Sequence, residues 1–309
     1  MDMLAHHILT IVGPTAVGKS AYAIKQAEQV DGEIVSVDSR QIYRGFVIGT
    51  GQPTTQVQAR APHHLINLLD PTEKITAGRY VRLVHSALAE IISRGKTPIL
   101  CGGSGLYVRA LRLGLAPMGE SDPQLREEVM RRIQTEGPEK LLAELAEVDP
   151  QYAATLHPNN IPRLARALEI WEASGEPPSK VRQWQGEPGE TAKPREIAGV
   201  GLVTFDLVGI ERSRKELYSR IDRRVLAMTE AGWLAEVEGL LAGGLSPDLH
   251  PMQGIGYREL VQVVQDTMTL EQAIPIIQQR TRQFARRQLT WFRKEPVRWI
   301  EADGSADSD

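Results

Sequence analysis

The stretch ILTIVGPTAVGKSAYAIKQAEQV, residues 8–30, decides the fold. Ile8 to Val12 is a short, β-branched, apolar run that stops at Gly13, and Ser20 to Val30 carries a helical pattern. Between them Gly13-Pro14-Thr15-Ala16-Val17-Gly18-Lys19-Ser20 matches G-x-x-x-x-G-K-[ST] in its proper setting. Such a loop turns backbone N–H groups and a helix N-terminus toward an anion. It also sets a lysine against terminal phosphates and offers a hydroxyl to Mg²⁺. The loop predicts a bound polyphosphate without saying which one.

Outward from the loop the same alternation repeats. EIVSVDS (Glu33 to Ser39) and TPILCGG (Thr97 to Gly103) read as strands, and Thr76 to Arg94 and SGLYVRALRLGL read as helices. Strands alternating with helices predict an α/β fold, a parallel sheet covered on both faces. From Ser121 to Gly186 strand signals vanish and charged helical pattern takes over, as in DPQLREEVMRRIQTEG, PEKLLAELAEVDP and NNIPRLARALEIWEASG. Pro162 suits the first turn of the last of these helices, and Ser174 and Gly175 suit its end. Leu164, Leu168 and Trp171 share one face at i, i+4, i+7. Gln183 to Glu196 reads as a connector, Glu196 to Val208 returns to strand character, and the remainder is helical. The expected organisation is a phosphate-loop core over 1–120, a helical insertion over 121–195, and a return to the core over 196–300. A disordered acidic tail is expected over 301–309.

Bulk properties narrow the class. Over 309 residues, 41% hydrophobic and 24% charged composition excludes disordered and fibrous proteins, and a net charge of −3 requires any nucleic acid to be met by a local basic surface. The single cysteine, Cys101, excludes an internal disulfide framework and a cysteine-based zinc site. Without a secretory segment or an apolar run long enough to span a bilayer, the expectation is a cytoplasmic protein with no membrane partner.

A nucleotide hydrolase places an acid at the end of a nearby strand to organise metal and water. The strand TPIL ends instead in Cys101-Gly102-Gly103-Ser104. The strand VSVDSRQIY does deliver a carboxylate, Asp38, which in a doubly wound sheet lies near the phosphate loop. An Asp-Ser pair after a strand equally suits a cap on the next turn.

GPTAVGKS, VDSRQIYRGFVIGTGQP, HHLINLLDP, CGGSGLYVRALRLGL, PRLARALEIWEASG, RIDRRVLAMTEAGWLAEV, QGIGYREL and RQFARRQLTWFR follow one another in this order. Together, from Ile8 to Trp299, they resemble the bacterial tRNA dimethylallyltransferases. The resemblance implies a P-loop NTPase-like sheet with an inserted helical tRNA-binding domain. It further implies transfer of a dimethylallyl group from dimethylallyl diphosphate to N6 of adenosine 37 in tRNAs reading codons that begin with U. On this reading Gly13 to Ser20 hold an isoprenoid diphosphate rather than a nucleotide, and Mg²⁺ sits at Ser20. The catalytic set is Asp38 as the base, with Lys19 and Ser104, and either Arg220 or Arg224 of RIDRRV completes the anion pocket. The resemblance assigns Asp38, Ser39, Arg40 and Gln41, Ser104, Arg126, and Pro162, Arg163, Leu164, Ala165 and Arg166 to tRNA contact. Gln41 has the donor and acceptor that an adenine edge requires. A monomer is implied.

Arg280, Arg282, Arg286, Arg287, Arg293 and Lys294 occur without an intervening acid, which predicts an RNA-facing stripe; Phe284, Trp291 and Phe292 within it are expected mostly to pack in the core. Adjacent His63 and His64 point opposite ways in extended chain, which predicts structural histidines. The glycines of QGIGYRE imply either close approach to RNA or a tight helix entry. Three other readings compete: an adenylate dimethylallyltransferase acting on free AMP, a small-molecule kinase binding ATP, and a non-catalytic RNA-binding relative. The helical insertion and basic C-terminal helix speak against the first. The long match beyond the loop speaks against the second, and retention of Lys19, Ser20 and Asp38 speaks against the third.

Overall fold

The computed structural model describes residues 5–115, 122–183, 189–190 and 192–302. The chain divides into two compact units, Met1–Arg112 with Gly189–Asp309, and Leu113–Pro188.

In the first unit, β1 (His6–Val12), β2 (Gly32–Val37), β3 (His63–His64) and β4 (Thr97–Gly102) alternate with α1 (Lys19–Val30), α2 (Thr55–Arg60) and α3 (Ala77–Ser93), followed by α4 (Gly105–Leu113). The second unit holds α5 (Pro123–Glu136), α6 (Pro138–Val148), α7 (Pro150–Ala153), α8 (Ile161–Ser174) and α9 (Pro178–Gln183). The first unit resumes with β5 (Arg195–Ile197), β6 (Gly201–Glu211), α10 (Arg214–Glu230), α11 (Trp233–Ala242), α12 (Tyr257–Val264), α13 (Leu270–Phe292) and β7 (Arg298–Glu301).

Among the described residues the sheet runs β3-β2-β4-β1-β6-β5, with β7 pairing the far end of β6, and β5 is its antiparallel member. The parallel sheet flanked by helices is the fold the sequence predicts. Central strands read as near-continuous apolar runs because both faces are covered: Ile11, Val35, Val37 and Leu100 are fully buried. Two aspects differ from expectation. Glu196 to Val208, read as one strand, is a hairpin, because Gly199 and Gly201 take positive φ of 77° and 91° and reverse the chain between β5 and β6. The short edge strand β7 lies where only helix was expected. Of the tail expected over 301–309, Glu301 ends β7 and the Ala302 amide bonds the Glu211 carbonyl, contrary to expectation, while 303–309 lie outside the described residues, as do residues 184–188 and 191 of the connector.

The second unit packs Val129, Ile133, Leu141, Leu145, Leu164 and Leu168 into its own core, with Trp171 against it. Its helices start where prolines stand early in the first turn, at Pro123, Pro138, Pro150 and Pro162, and α8 stops at Gly175 with φ of 67°. Arg132 ties three helices by bonding Glu136, Glu144 and Glu172.

Candidate active site

Strand register brings the candidate residues together. Val12 of β1 and Val37 of β2 both pair with Gly102 of β4, so three strands end at one level. The residues that follow them open the phosphate loop (Gly13), the acidic turn (Asp38) and the Gly103-Ser104 turn. Gly102 is confined: a Cβ there would overlap the Val37 backbone.

The loop's carbonyls are held by cations. Lys19 Nζ donates to Pro14 O at 2.7 Å, Arg220 Nε to Ala16 O at 2.9 Å and Arg212 Nε to Val17 O at 2.9 Å. These bonds fix the loop's carbonyls in place. The first amides of α1 have no acceptor within their own helix and are the donors left for an anion. Gly18, left-handed at φ 103°, makes the entry into α1, and Ser20 stands exposed on the first turn. Of the two candidate arginines, Arg220 bonds the loop through the Ala16 carbonyl. Arg224, one turn along α10, lies across Gly51, where a Cβ would overlap its guanidinium.

Asp38 caps its own turn. Its Oδ1 accepts from the amides of Arg40 at 2.7 Å and Gln41 at 3.2 Å, and among the described residues the hydrogen bonds to this carboxylate fall on Oδ1. The cap and the base are therefore compatible roles for one side chain. Ser104 Oγ accepts from the Ser39 amide at 3.2 Å, and Ser104 N donates to Val37 O at 3.3 Å, which joins the two turns. Gln41 is engaged at both ends: Oε1 accepts from Ser36 Oγ, and Nε2 donates to the carbonyls of Thr50 and Gly51. Its amide holds the 50–51 loop in place instead of standing open to a base. Arg40 donates to the His250 carbonyl. Burial pulls the Arg40 guanidinium below its usual range, with Asp38 opposing the shift.

Aromatic side chains wall this region. Tyr80 and Tyr107 stack at 4.0 Å between centroids, and Tyr80 donates to the Ser36 carbonyl. Burial raises the Tyr107 hydroxyl to about 12, with Tyr43 and the Asp38 charge adding to the shift. These phenols stay protonated, and Asp38 is the acidic side chain of the turn.

The basic stripe of α13 is partly neutralised by acids from other elements. Arg280 pairs with the buried Glu259 of α12 and Arg282 with Asp222 of α10, while Arg286, Arg287, Arg293 and Lys294 remain exposed. Phe292 is fully buried, whereas Phe284 is exposed and lies under Arg287, against the core-packing expectation. Helix entry explains Gly256, which caps α12 with φ of 89° and receives the Trp233 ring where a Cβ would stand. His63 Nδ1 lies 2.8 Å from Ala61 O and His64 Nε2 lies 2.6 Å from Glu33 Oε2. Both rings therefore have structural partners.

In the second unit Arg126 and Arg166 both pair with Glu169, whose side chain is 2% exposed. Leu164 and Ala165 are buried in that unit's core, so their side chains are withdrawn from any RNA, while Pro162 and Arg163 are exposed.

Sequence reasoning missed several residues. Glu236 accepts from the amides of Val47, Ile48 and Gly49 and from Tyr257 Oη, fixing the loop that holds Gln41. Arg212 and Gln288 also touch the phosphate loop. Only Gln288 left a signal: it occupies a core position of α13 in the buried series Ala273, Ile277, Ala285, Gln288, Phe292.

The profile of the family described as IPP transferase matches residues 41–295. A tRNA dimethylallyltransferase of Trichlorobacter lovleyi is 46% identical over 294 residues, covering 95% of this chain and 93% of the relative. That of Geobacter sulfurreducens is 42% identical, covering 97% and 94%. Among solved structures, the tRNA isopentenylpyrophosphate transferase of Bacillus halodurans has a TM-score of 0.68 at 34% identity over 97% of this chain and 92% of its own. A eukaryotic dimethylallyltransferase solved acting on tRNA has a TM-score of 0.78 at 27% identity, covering 98% of this chain and 75% of that one.

Proposed function

The chain belongs to the IPP transferase family, and on that premise we propose that it transfers the dimethylallyl group of dimethylallyl diphosphate to N6 of adenosine 37 in tRNAs reading codons that begin with U. The observation that carries this reading is the common level of the β1, β2 and β4 ends, which sets an anion loop beside a carboxylate.

The exocyclic amine of adenine is a weak nucleophile because its lone pair is delocalised into the ring. As the N6–C1 bond forms and the allylic C–O bond breaks, the electron pair of that bond goes to the diphosphate. The amine proton goes to Asp38, whose Oδ2 takes no part in the two cap bonds. Charge growing on the diphosphate is met by the amides of the first turn of α1 and by Lys19, while Arg220 holds the Ala16 carbonyl of the loop. Mg²⁺ fits the donor set, since a hard cation takes the Ser20 hydroxyl together with phosphate oxygens and water. When bound, it supplies charge neutralisation on the leaving group. The adenosine must be extruded from its stack, at a cost of a few kcal/mol. Arg163 in the second unit and the exposed arginines of α13 are the side chains offered to the RNA backbone.

The test is transfer of labelled dimethylallyl to an anticodon stem-loop carrying A36-A37, beside an A37→G loop and AMP. Label on the A37 loop alone supports the assignment. Label on AMP, or ATP turnover without transfer, refutes it.

A further inference from the structure

Gln288 lies on α13, far in sequence from the loop it touches. Its Oε1 accepts from the Thr15 amide at 2.9 Å and its Nε2 donates to the Gly103 carbonyl at 3.0 Å. Gln288 is 7% exposed, so water has limited access to these two bonds. Next to Gly103, Ser104 takes the Ser39 amide, and Ser39 adjoins Asp38. Hydrogen bonds and the Gly103–Ser104 and Asp38–Ser39 backbone links thus connect the phosphate loop through Gln288 to the acidic turn.

The receiving turn is shaped for this helix. A Cβ on Gly103 would overlap the Gln288 amide nitrogen, and one on Gly105 would enter the ring of Trp291, one turn along α13. Both glycines flanking Ser104 therefore stand where α13 side chains seat. The loop carbonyls of Pro14, Ala16 and Val17 are already taken by Lys19, Arg220 and Arg212. The Thr15 amide in their midst is held by Gln288. A glutamine is the side chain suited to this place, because one end must accept from an amide while the other donates to a carbonyl.

We propose that Gln288 is a positioning residue that sets the distance between the diphosphate loop and the Asp38 turn. The proposal rests on the transfer reaction inferred above. Neither substrate needs Gln288 in order to bind alone. What it governs is the alignment of leaving group, allylic carbon and base, where a displacement of about 1 Å costs on the order of 100-fold in rate.

Three variants of the full chain test this. Gln288→Leu removes both bonds at similar bulk, and Gly103→Ala displaces the same amide from the opposite side. Gln288→Glu keeps the acceptor for Thr15 but sets a carboxylate oxygen against the Gly103 carbonyl until protonation restores a donor. Expected for the first two is faster hydrogen exchange at the Thr15 amide, read by NMR on selectively labelled protein, with amides of the second unit unchanged. Their kcat should fall by about 10- to 100-fold, while Kd for inorganic diphosphate and for the stem-loop each change by less than about 3-fold. For Gln288→Glu, kcat relative to the unsubstituted chain should rise as pH falls from 8 to 6, a limb that Gln288→Leu lacks. Unchanged Thr15 exchange, unchanged kcat, or a loss confined to diphosphate affinity overturns the proposal. An unsubstituted chain that transfers nothing overturns the reaction reading instead. The exchange measurement, which needs no substrate, then still upholds or overturns the strut.

Discussion

Asp38 is assigned both a turn cap and a proton acceptor, and two substitutions separate these roles. In Asp38→Asn the side-chain oxygen that accepts from the Arg40 and Gln41 amides is retained, so stability should change by less than about 0.5 kcal/mol. The acceptor for the N6 proton is lost, and the transfer rate should drop about 10²- to 10⁴-fold, which is roughly 2.7–5.5 kcal/mol of barrier. In Asp38→Ala the rate should fall by the same factor, but both amides of the half-buried turn lose their acceptor and stability should fall by about 1–2 kcal/mol. Single-turnover transfer with saturating diphosphate reads the first quantity, and urea unfolding reads the second. The reasoning is refuted if Asp38→Asn keeps its rate within about 5-fold of the parent, or if Asp38→Ala is much slower than Asp38→Asn. The latter would make turn geometry, not proton transfer, the source of the loss.

Glu295 is 1% exposed at its side chain and pairs with Arg112, itself 3% exposed, at 2.8 Å; Glu295→Ala takes the carboxylate from that buried guanidinium, leaving it the Glu190 carbonyl, and should cost about 3 kcal/mol in urea unfolding. Gly49→Ala drives a methyl into the buried Trp233 ring and should lower stability by about 3 kcal/mol. By contrast Gly239→Ala, within α11 and meeting open space, should raise stability by about 0.5–1 kcal/mol in the same assay. Burial holds the His63 and His85 rings below their usual range in the folded chain. The unfolded chain then binds more protons below about pH 6.5, so the urea midpoint should fall as pH drops from 7.5 to 5.5. It should fall less in a chain where both are replaced by glutamine.

What the sequence disclosed followed from local spacing. The loop from Gly13 to Ser20, the strands leading into it, and the proline-started helices of the second unit all have short-range signatures. Gly199 was legible only as a breaker, and turning a strand into a hairpin needed β6 to be in place beside β1. Side-chain engagement was the least legible. Gln41 looked free to read a base, and only the fold supplied Ser36, Thr50 and Gly51 to occupy it. Leu164 and Ala165 lay within a plausible contact segment, yet helical periodicity alone turned them inward. Arg280 and Arg282 lacked acidic neighbours in sequence, and Glu259 and Asp222 reached them from other helices. Gln288 was the exception with a trace, a polar residue on an apolar stripe.

The strand that carries the phosphate loop lies between β4 and β6, and the Thr15 bond to Gln288 spans 273 residues. During synthesis, at about 5–20 residues per second, β1 therefore waits roughly 15–55 s for the last part that completes its loop. One edge of β1 is unpaired until β6 has been made, and the Thr15 amide stays unsecured until Gln288 follows. Until α13 has emerged, a nascent chain lacks the side chain that aligns its phosphate loop with the acidic turn, and a truncation before α13, which also removes Ile277, Ala285 and Phe292 from the core, should yield a protein that engages chaperones.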